Sequence, residues 1–161
     1  MSIRSALLLS KLLAKTRASN PHLPISDRVS YRKATEPSLG GADDCLLLEA
    51  PCGGRDMADH PVSLLAGQQL IVRFQKNLDH TFKDIPGYFT VSLFEADNKG
   101  NGGKEILKIT DTSNASLTLY SAKITVPDTM CGHVIVQVRY VTNNPNAGPV
   151  FYQCADVIVR V

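Results

Sequence analysis

Histidine is the residue type in this sequence best suited to holding a transition metal, because a neutral imidazole nitrogen is a good ligand for copper and zinc. The chain contains His22, His60, His80 and His133. An isolated histidine is usually a surface or packed residue, so only its position in the sequence can indicate whether it binds a metal. His80 directly follows a strand-like segment, where a loop can present an imidazole at the end of a sheet. Of the four histidines, His80 is therefore the strongest candidate for a metal ligand.

Other chemical motifs are missing from the sequence. It has no GxSxG, HExxH, phosphate-binding loop or dinucleotide fingerprint, so hydrolytic and nucleotide chemistry lack their usual support. Residues 97–105 are rich in Asp, Asn and Gly, but Lys99 stands where a calcium-binding loop needs an oxygen ligand. We interpret this segment as a hairpin tip.

The four cysteines are Cys45, Cys52, Cys131 and Cys154, and none of them forms a CxxC pair. CxxC is the spacing of redox motifs and zinc ribbons, so two disulfides and an oxidising compartment are predicted instead. The count alone leaves the connectivity open. The triplet Asn114-Ala115-Ser116 would accept a glycan in a secreted protein. Both features favour an extracellular location.

Size and composition indicate one ordinary domain. The chain has 161 residues, of which 43% are apolar, enough for a single core. Its net charge of +2 is too small for the electrostatic field of a nucleic-acid-binding protein, so no nucleic-acid partner is expected. The sequence has no Trp, and the flat aromatic platform that commonly stacks against sugars is not visible in it.

Residues 1–20 are typical of a targeting segment, signal or transit. They contain four basic and no acidic side chains around the apolar stretch Ala6–Leu9. That stretch is too short to span a membrane. The cysteines favour secretion, with a mitochondrial presequence and a misassigned start as alternatives. Residues 21–51, rich in Pro, Gly, Ser and Asp, are predicted to form an irregular N-terminal arm.

Residues 52–161 show the alternation of apolar and polar residues that is typical of strands, with Gly, Asn and Asp in the intervening loops. No stretch has strong helical periodicity. The pattern predicts a two-layer antiparallel β-sandwich that forms one domain with the arm. The predicted strands cover residues 69–74, 88–95, 105–109, 117–126, 133–141 and 150–161.

Asp156 lies in the last predicted strand, on the side opposite Ala155 and Val157. The ordinary interpretation is an outward carboxylate that solvates the sheet. Cys154 shares that side, however, so a disulfide at Cys154 would crowd the surroundings of Asp156.

The segments Ala50-Pro51-Cys52-Gly53-Gly54 and Tyr152-Gln153-Cys154-Ala155-Asp156-Val157, with His80 between them, resemble the copper-binding group around the lytic polysaccharide monooxygenases. They are most similar to the chitin-binding type-4 domains and to the monooxygenase-like copper-acquisition proteins. The resemblance implies an immunoglobulin-like sandwich. With it, the disulfides are assigned as Cys52–Cys154 and Cys45–Cys131.

The resemblance also implies one copper ion, held by the amino group and ring of a mature N-terminal histidine and by a second histidine. Carried over by motif, the first ligand is His22, and the second is His80 with His60 as its substitute. Asp156 corresponds to the carboxylate that blocks an open copper position in the copper-acquisition type. A terminus at His22 requires cleavage after Pro21, whereas signal peptidase prefers a small residue there.

The leading hypothesis is therefore a secreted, non-catalytic domain that binds a polysaccharide such as chitin or cellulose, or matrix protein, and has at most a weak copper site. The first alternative is a copper-dependent lytic polysaccharide monooxygenase. Two further alternatives are a copper-binding or transport protein and a structural matrix protein.

Overall fold

The computed structural model describes the backbone of one N-terminal strand, residues 7–14, and all of residues 47–76, 78–98 and 103–161. Apart from one short 3₁₀ turn, the regular secondary structure in these parts of the chain is all strand, as the period-two pattern predicted. In chain order they contain β1 (Leu7–Ala14), β2 (Val62–Leu65), β3 (Gln69–Lys76), β4 (Tyr88–Glu95), a 3₁₀ turn (Ala96–Asn98), β5 (Lys104–Thr110), β6 (Thr118–Thr125), β7 (Gly132–Val141) and β8 (Val150–Arg160).

The strands form two sheets that pack face to face. One sheet has the strand order β1-β3-β6, and the other has the order β2-β8-β7-β4-β5. The predicted all-β sandwich is therefore confirmed. Its pairs are antiparallel with one exception, because β2 runs parallel to β8. β2 was not predicted, since a strand of four residues is too short to show an alternating pattern.

The apolar sides of both sheets meet in one core, and the predicted inward faces are confirmed. Leu70, Val72 and Phe74 of β3 are fully buried against the second sheet. From that second sheet, the same core receives Phe89, Val91, Leu93, Val134, Val136, Val138, Tyr140, Phe151, Ala155, Val157 and Val159. Each set occupies alternate positions of its strand, because successive side chains of a strand point to opposite faces.

The segment from residue 47 to residue 60 crosses the other side of the five-stranded sheet, which we call the outer face. The amide of Gln137 in β7 donates a hydrogen bond to the carbonyl oxygen of Pro51 at 2.7 Å. The disulfide between Cys52 and Cys154 attaches the same segment to β8. Beneath it, Phe94 and Ile135 pack around that disulfide in a second, smaller apolar cluster.

Part of the predicted targeting segment is a strand in this structure. β1 pairs antiparallel with β3, from Leu7 opposite Lys76 to Ala14 opposite Leu70, with a register shift between Leu8 and Lys11. The other residues of the segment, and residues 21–46 of the predicted arm, lie outside the described residues. Across the described part of the chain, no helix has the length and apolar character needed to cross a membrane.

Candidate functional site

His80 lies in the loop that follows β3, at the end of the sandwich where the strand-connecting loops gather. Its ring stacks on Phe151 of β8, with ring centroids 5.4 Å apart and planes inclined by only 5°. The side chain of Asn144 donates a hydrogen bond to the His80 carbonyl oxygen at 3.0 Å. Stacking and the backbone hydrogen bond together hold this loop against the core, so the predicted loop position of His80 agrees with the structure.

A buried ion pair lies at the same end of the sandwich. The core-facing positions of β3 continue past Phe74 to Lys76, so the Lys76 ammonium is buried. Its Nζ lies 2.9 Å from Asp111, whose side chain is also buried, and 3.0 Å from Asp79. The hydroxyl of Tyr140 donates to the second Asp111 oxygen at 2.5 Å. An ammonium and a carboxylate removed from water need such mutual neutralisation.

The protonation states in this cluster follow from its contacts. Burial lowers the pKa of Lys76, but hydrogen bonds to Asp111 and Asp79 outweigh burial, so the pKa is raised overall. For the acidic Asp79, burial acts in the opposite direction and raises the pKa. Hydrogen bonds from Thr81 and the ion pair with Lys76 outweigh burial and leave the pKa of Asp79 below its ordinary value. Burial and the neighbouring Asp111 carboxylate raise the pKa of Tyr140. Lys76 and Asp79 are therefore charged near neutral pH, and Tyr140 is neutral.

Asp156 is fully buried on the outer face of the five-stranded sheet, beneath the segment of residues 47–60. One carboxylate oxygen accepts a hydrogen bond from Nε2 of His133 at 2.9 Å, and the other accepts the backbone N–H of Ala58 at 3.0 Å. The interpretation of Asp156 as a solvated outward residue is therefore wrong, although it does share its side with Cys154. The imidazole of His133 is 26% exposed and is oriented by the carboxylate.

The His133–Asp156 pair was not predicted from the sequence. His133 and Asp156 are separated by 23 positions in the sequence and come together only because β7 and β8 pair with His133 opposite Ile158. Neither residue carries a local signal of that register. The only hint was the crowding expected around Asp156 from a disulfide at Cys154.

The disulfide assignment is half right. Cys52 and Cys154 form a disulfide across 102 positions of sequence. Cys131, by contrast, is exposed and has a free thiol, so the predicted second disulfide with Cys45 is wrong for this structure. Cys45 itself lies outside the described residues. Cys131 ends the loop before β7 at the surface, and an even number of cysteines does not by itself show that each has a partner within bonding distance.

The predicted copper ligands do not assemble in the described residues. His80 stacks on core-facing Phe151, whereas Asp156 lies on the opposite face of the sheet, five residues further along β8. At about 3.3 Å per residue, five residues place their strand positions roughly 16 Å apart. His60 is exposed beside the Asp156 end of the sheet, just before β2. Within residues 47–76, 78–98 and 103–161, no three His, Cys, Asp or Glu side chains form a group that could hold a metal.

His22 lies outside the described residues, so its place relative to His80 stays a prediction. His80 and Asp156, as placed in this structure, do not fit a single copper ion. The donor set that remains is the pair His22 and His80. It would supply two ring nitrogens and, if His22 were a free terminus, an amine.

The predicted glycosylation triplet lies in the exposed loop between β5 and β6. Asn114 is exposed, and its amide nitrogen lies 3.4 Å from the Tyr120 hydroxyl. The Ser116 hydroxyl accepts the backbone N–H of Asp79 at 2.9 Å, which ties this loop to the loop that carries His80. The side chain that would receive a glycan is therefore accessible.

Comparison with known proteins shows which solved structures have a similar fold. No protein-family model and no curated protein matches this sequence. Among solved structures, a cellulose-active polysaccharide monooxygenase from M. thermophila is similar with a TM-score of 0.55 and 14% identity, over 88% of this chain and 71% of that one. An AA10 lytic polysaccharide monooxygenase from Streptomyces lividans gives a TM-score of 0.48 and 17% identity, over 63% of this chain.

A CBM33 protein from Bacillus amyloliquefaciens in complex with Cu(I) gives a TM-score of 0.41 and 16% identity, over 67% of this chain and 65% of that one. The present chain spans 60% of the length of the S. lividans enzyme. At these identities the likeness concerns the fold, and it rests on the alignment with the M. thermophila enzyme. The chain has a β-sandwich fold like that of the lytic polysaccharide monooxygenases.

Proposed function

We propose that this chain is an extracellular, non-catalytic domain that binds polysaccharide. The observation that carries the proposal is the alignment of 88% of the chain with a cellulose-active polysaccharide monooxygenase. The Cys52–Cys154 disulfide supports an oxidising compartment, because structural disulfides are rare in reducing ones. A non-catalytic role is favoured because copper catalysis would need His22 as the mature terminus, after a cleavage at Pro21 that signal peptidase does not prefer. The Asp156 carboxylate is committed to His133 and Ala58, so it does not support the copper-acquisition alternative.

The first experiment measures retention of the secreted protein on insoluble cellulose, chitin and acidic polysaccharide gels. Retention on at least one of them, competed by the soluble form of the same polysaccharide, is the expected result. Denatured protein, which has lost the sandwich, serves as the control for nonspecific adsorption. Absence of retention on all of them would contradict polysaccharide binding and favour a structural role or a matrix-protein partner.

The second candidate function is a copper-dependent polysaccharide monooxygenase that uses His22 and His80. The placement of His80 at the loop end of a monooxygenase-like sandwich favours it. Copper bound there would supply oxygen activation, while His80 would contribute a ring held by its stacking on Phe151. If His22 is not the mature terminus, no terminal amine is available, and the two histidine rings would bind copper only weakly.

Copper titration separates the two candidates. The enzyme hypothesis requires His22 at the mature terminus, tight Cu(II) binding that is lost in His80→Ala, and oxidised sugars released in the presence of a reductant. His60→Ala is the matched control, because it removes an exposed histidine at the other end of the fold. Equal losses in both variants would show that the copper is held nonspecifically. Retention on polysaccharide without oxidised products is the outcome that the non-catalytic proposal expects.

Secretion has its own test at Asn114, whose side chain is exposed. Expression through a eukaryotic secretory pathway should add one glycan, removable by an endoglycosidase and absent from Asn114→Gln. Asn146→Gln is the control, since that asparagine is not followed by the Ser or Thr of an acceptor triplet. Secreted protein without a glycan would refute modification at Asn114.

A further inference from the structure

The outer face of the five-stranded sheet is covered in one half and accessible in the other. The segment of residues 47–60 covers the half that contains Gln137, Cys154 and Asp156. In the other half, the strand register aligns a row of polar and aromatic residues. Across β5, β4, β7 and β8 this row is Lys108, Thr90, Arg139 and Tyr152, and Tyr88 lies beside it.

A β-bulge places the charged residues of β5 in this row. Between Val91 and Ser92 of β4 the register shifts, so that Leu107 pairs with Val91 but Glu105 pairs with Ser92. In a regular strand, residues three apart would face opposite sides. The extra residue at the bulge brings both Glu105 and Lys108 onto the outer face. Both are exposed.

The side chains of this patch are already arranged by contacts with one another. The Lys108 ammonium lies over the ring of Tyr88, 3.8 Å from its centroid. The Arg139 Nε donates to the hydroxyl of buried Thr90 at 3.0 Å, and its Nη2 lies 3.5 Å from Glu105. A guanidinium has five N–H donors, so these contacts orient it and leave donors for a ligand.

We infer that this patch, defined by Tyr88, Glu105, Lys108, Arg139 and Tyr152, binds an acidic polysaccharide built from uronic acids. The inference rests on the proposed polysaccharide-binding function and names its substrate class. Two cations face one carboxylate in the patch, which gives a net attraction for anions. The Tyr152 ring can pack against the apolar face of a pyranose ring, whereas Tyr88 holds the Lys108 ammonium in the patch. The Arg139 guanidinium matches a carboxylate in a bidentate arrangement.

Binding is measured by isothermal titration calorimetry with a galacturonic-acid oligosaccharide, and its methyl ester provides the uncharged control ligand. The acid should bind, binding should weaken with added NaCl, and the ester should bind at least about fivefold more weakly. Lys108→Ala and Tyr88→Ala should each weaken binding about fivefold. Lys123→Ala is the matched control. It removes an exposed lysine from β6, in the other sheet, and should leave affinity unchanged.

Glu105→Gln tests the patch by a gain of affinity, which a folding defect would not produce. Removing the carboxylate that competes for Arg139 should strengthen binding of the acid about twofold to threefold. Equal losses in Lys108→Ala and Lys123→Ala, or equal binding of a sulfated dextran, would show general attraction of anions and overturn the inference. Retention on cellulose or chitin without binding of the uronate would also overturn it, but would leave the proposed function intact. Failure on every polysaccharide would remove both.

Discussion

Replacing Asp111 with Asn should destabilise the fold, because it leaves the buried ammonium of Lys76 without its main counter-charge. Asn keeps the shape of the side chain and can still accept hydrogen bonds from Tyr140 and Thr81, which donate to Asp111 at 2.5 and 2.9 Å. The amide NH2 of Asn then takes the place of the oxygen that accepts from Lys76 and from the Ser113 N–H. The substitution therefore removes the counter-charge and these two hydrogen bonds while the volume of the side chain is kept.

The expected magnitude follows from the geometry of the pair. The side chains of Lys76 and Asp111 are both 0% exposed and their charged atoms lie 2.9 Å apart. At an effective dielectric constant of about 20, the Coulomb attraction at that distance is about 6 kcal/mol, which the loss of hydration largely offsets. Removing one partner of a buried pair typically costs about 3–5 kcal/mol. Asp79 stays 3.0 Å from Lys76, so we expect a loss of about 3 kcal/mol.

Urea unfolding, followed by circular dichroism and tyrosine fluorescence, measures this loss in a chain that has five Tyr and no Trp. With a slope of about 2 kcal/mol/M, the midpoint should fall by about 1.5 M. Asp84→Asn, in an exposed loop, is the matched control and should change the free energy of unfolding by less than about 0.5 kcal/mol.

The double variant Lys76→Met/Asp111→Asn removes both charges. It should be more stable than Asp111→Asn by at least about 1 kcal/mol, because no ammonium is then buried without its carboxylate. An Asp111→Asn protein as stable as the Asp84→Asn control, or a double variant no more stable than Asp111→Asn, would refute the reasoning.

Three further predictions concern pH, the cysteines and one glycine. Because Asp79 has a lowered pKa and Lys76 a raised one, both residues should make their full contribution to the free energy of unfolding between about pH 5 and 9. The Asp79 contribution is lost as the pH falls through its folded pKa, and the Lys76 contribution as the pH rises through its own, which urea titrations of wild type and Asp79→Asn at several pH values will detect. Cys52→Ser should lower the free energy of unfolding by about 2–5 kcal/mol. After alkylation of the native, unreduced protein, peptide mapping should find Cys131 alkylated and Cys52 protected. The reverse labelling would contradict the disulfide assignment. Gly87→Ala should lower the free energy of unfolding by about 1–3 kcal/mol, since its Cβ would collide with the backbone carbonyl oxygen of Val141 in β7. An unchanged midpoint in urea unfolding would contradict this contact.

The alternating pattern alone determined most strands and their inward faces. β4 begins and ends where it was predicted, and β3, β5, β6, β7 and β8 differ from their predicted ranges by one or two residues. Alternation is a local property, because each apolar side chain that faces the core recurs every second residue. The pattern could not reveal the short β2 or its parallel pairing with β8, since pairing partners lie far apart in the sequence.

The candidate sites depended far more on tertiary structure. Predicting β3 to end at Phe74 concealed that Lys76 continues the core-facing series, and its burial requires Asp111 from 35 positions away. The bulge in β5 reverses the side on which Glu105 would be expected relative to Lys108.

Asp156 shows the division most clearly. Its sequence position correctly put it on the same side as Cys154, because the two residues are two positions apart in one strand. Its burial, its hydrogen bond with His133 and its separation from His80 were decided by the segment that crosses the outer face and by the register of β7 with β8. A local pattern determines which side of a strand a residue occupies, whereas only packing between distant segments determines what covers that side.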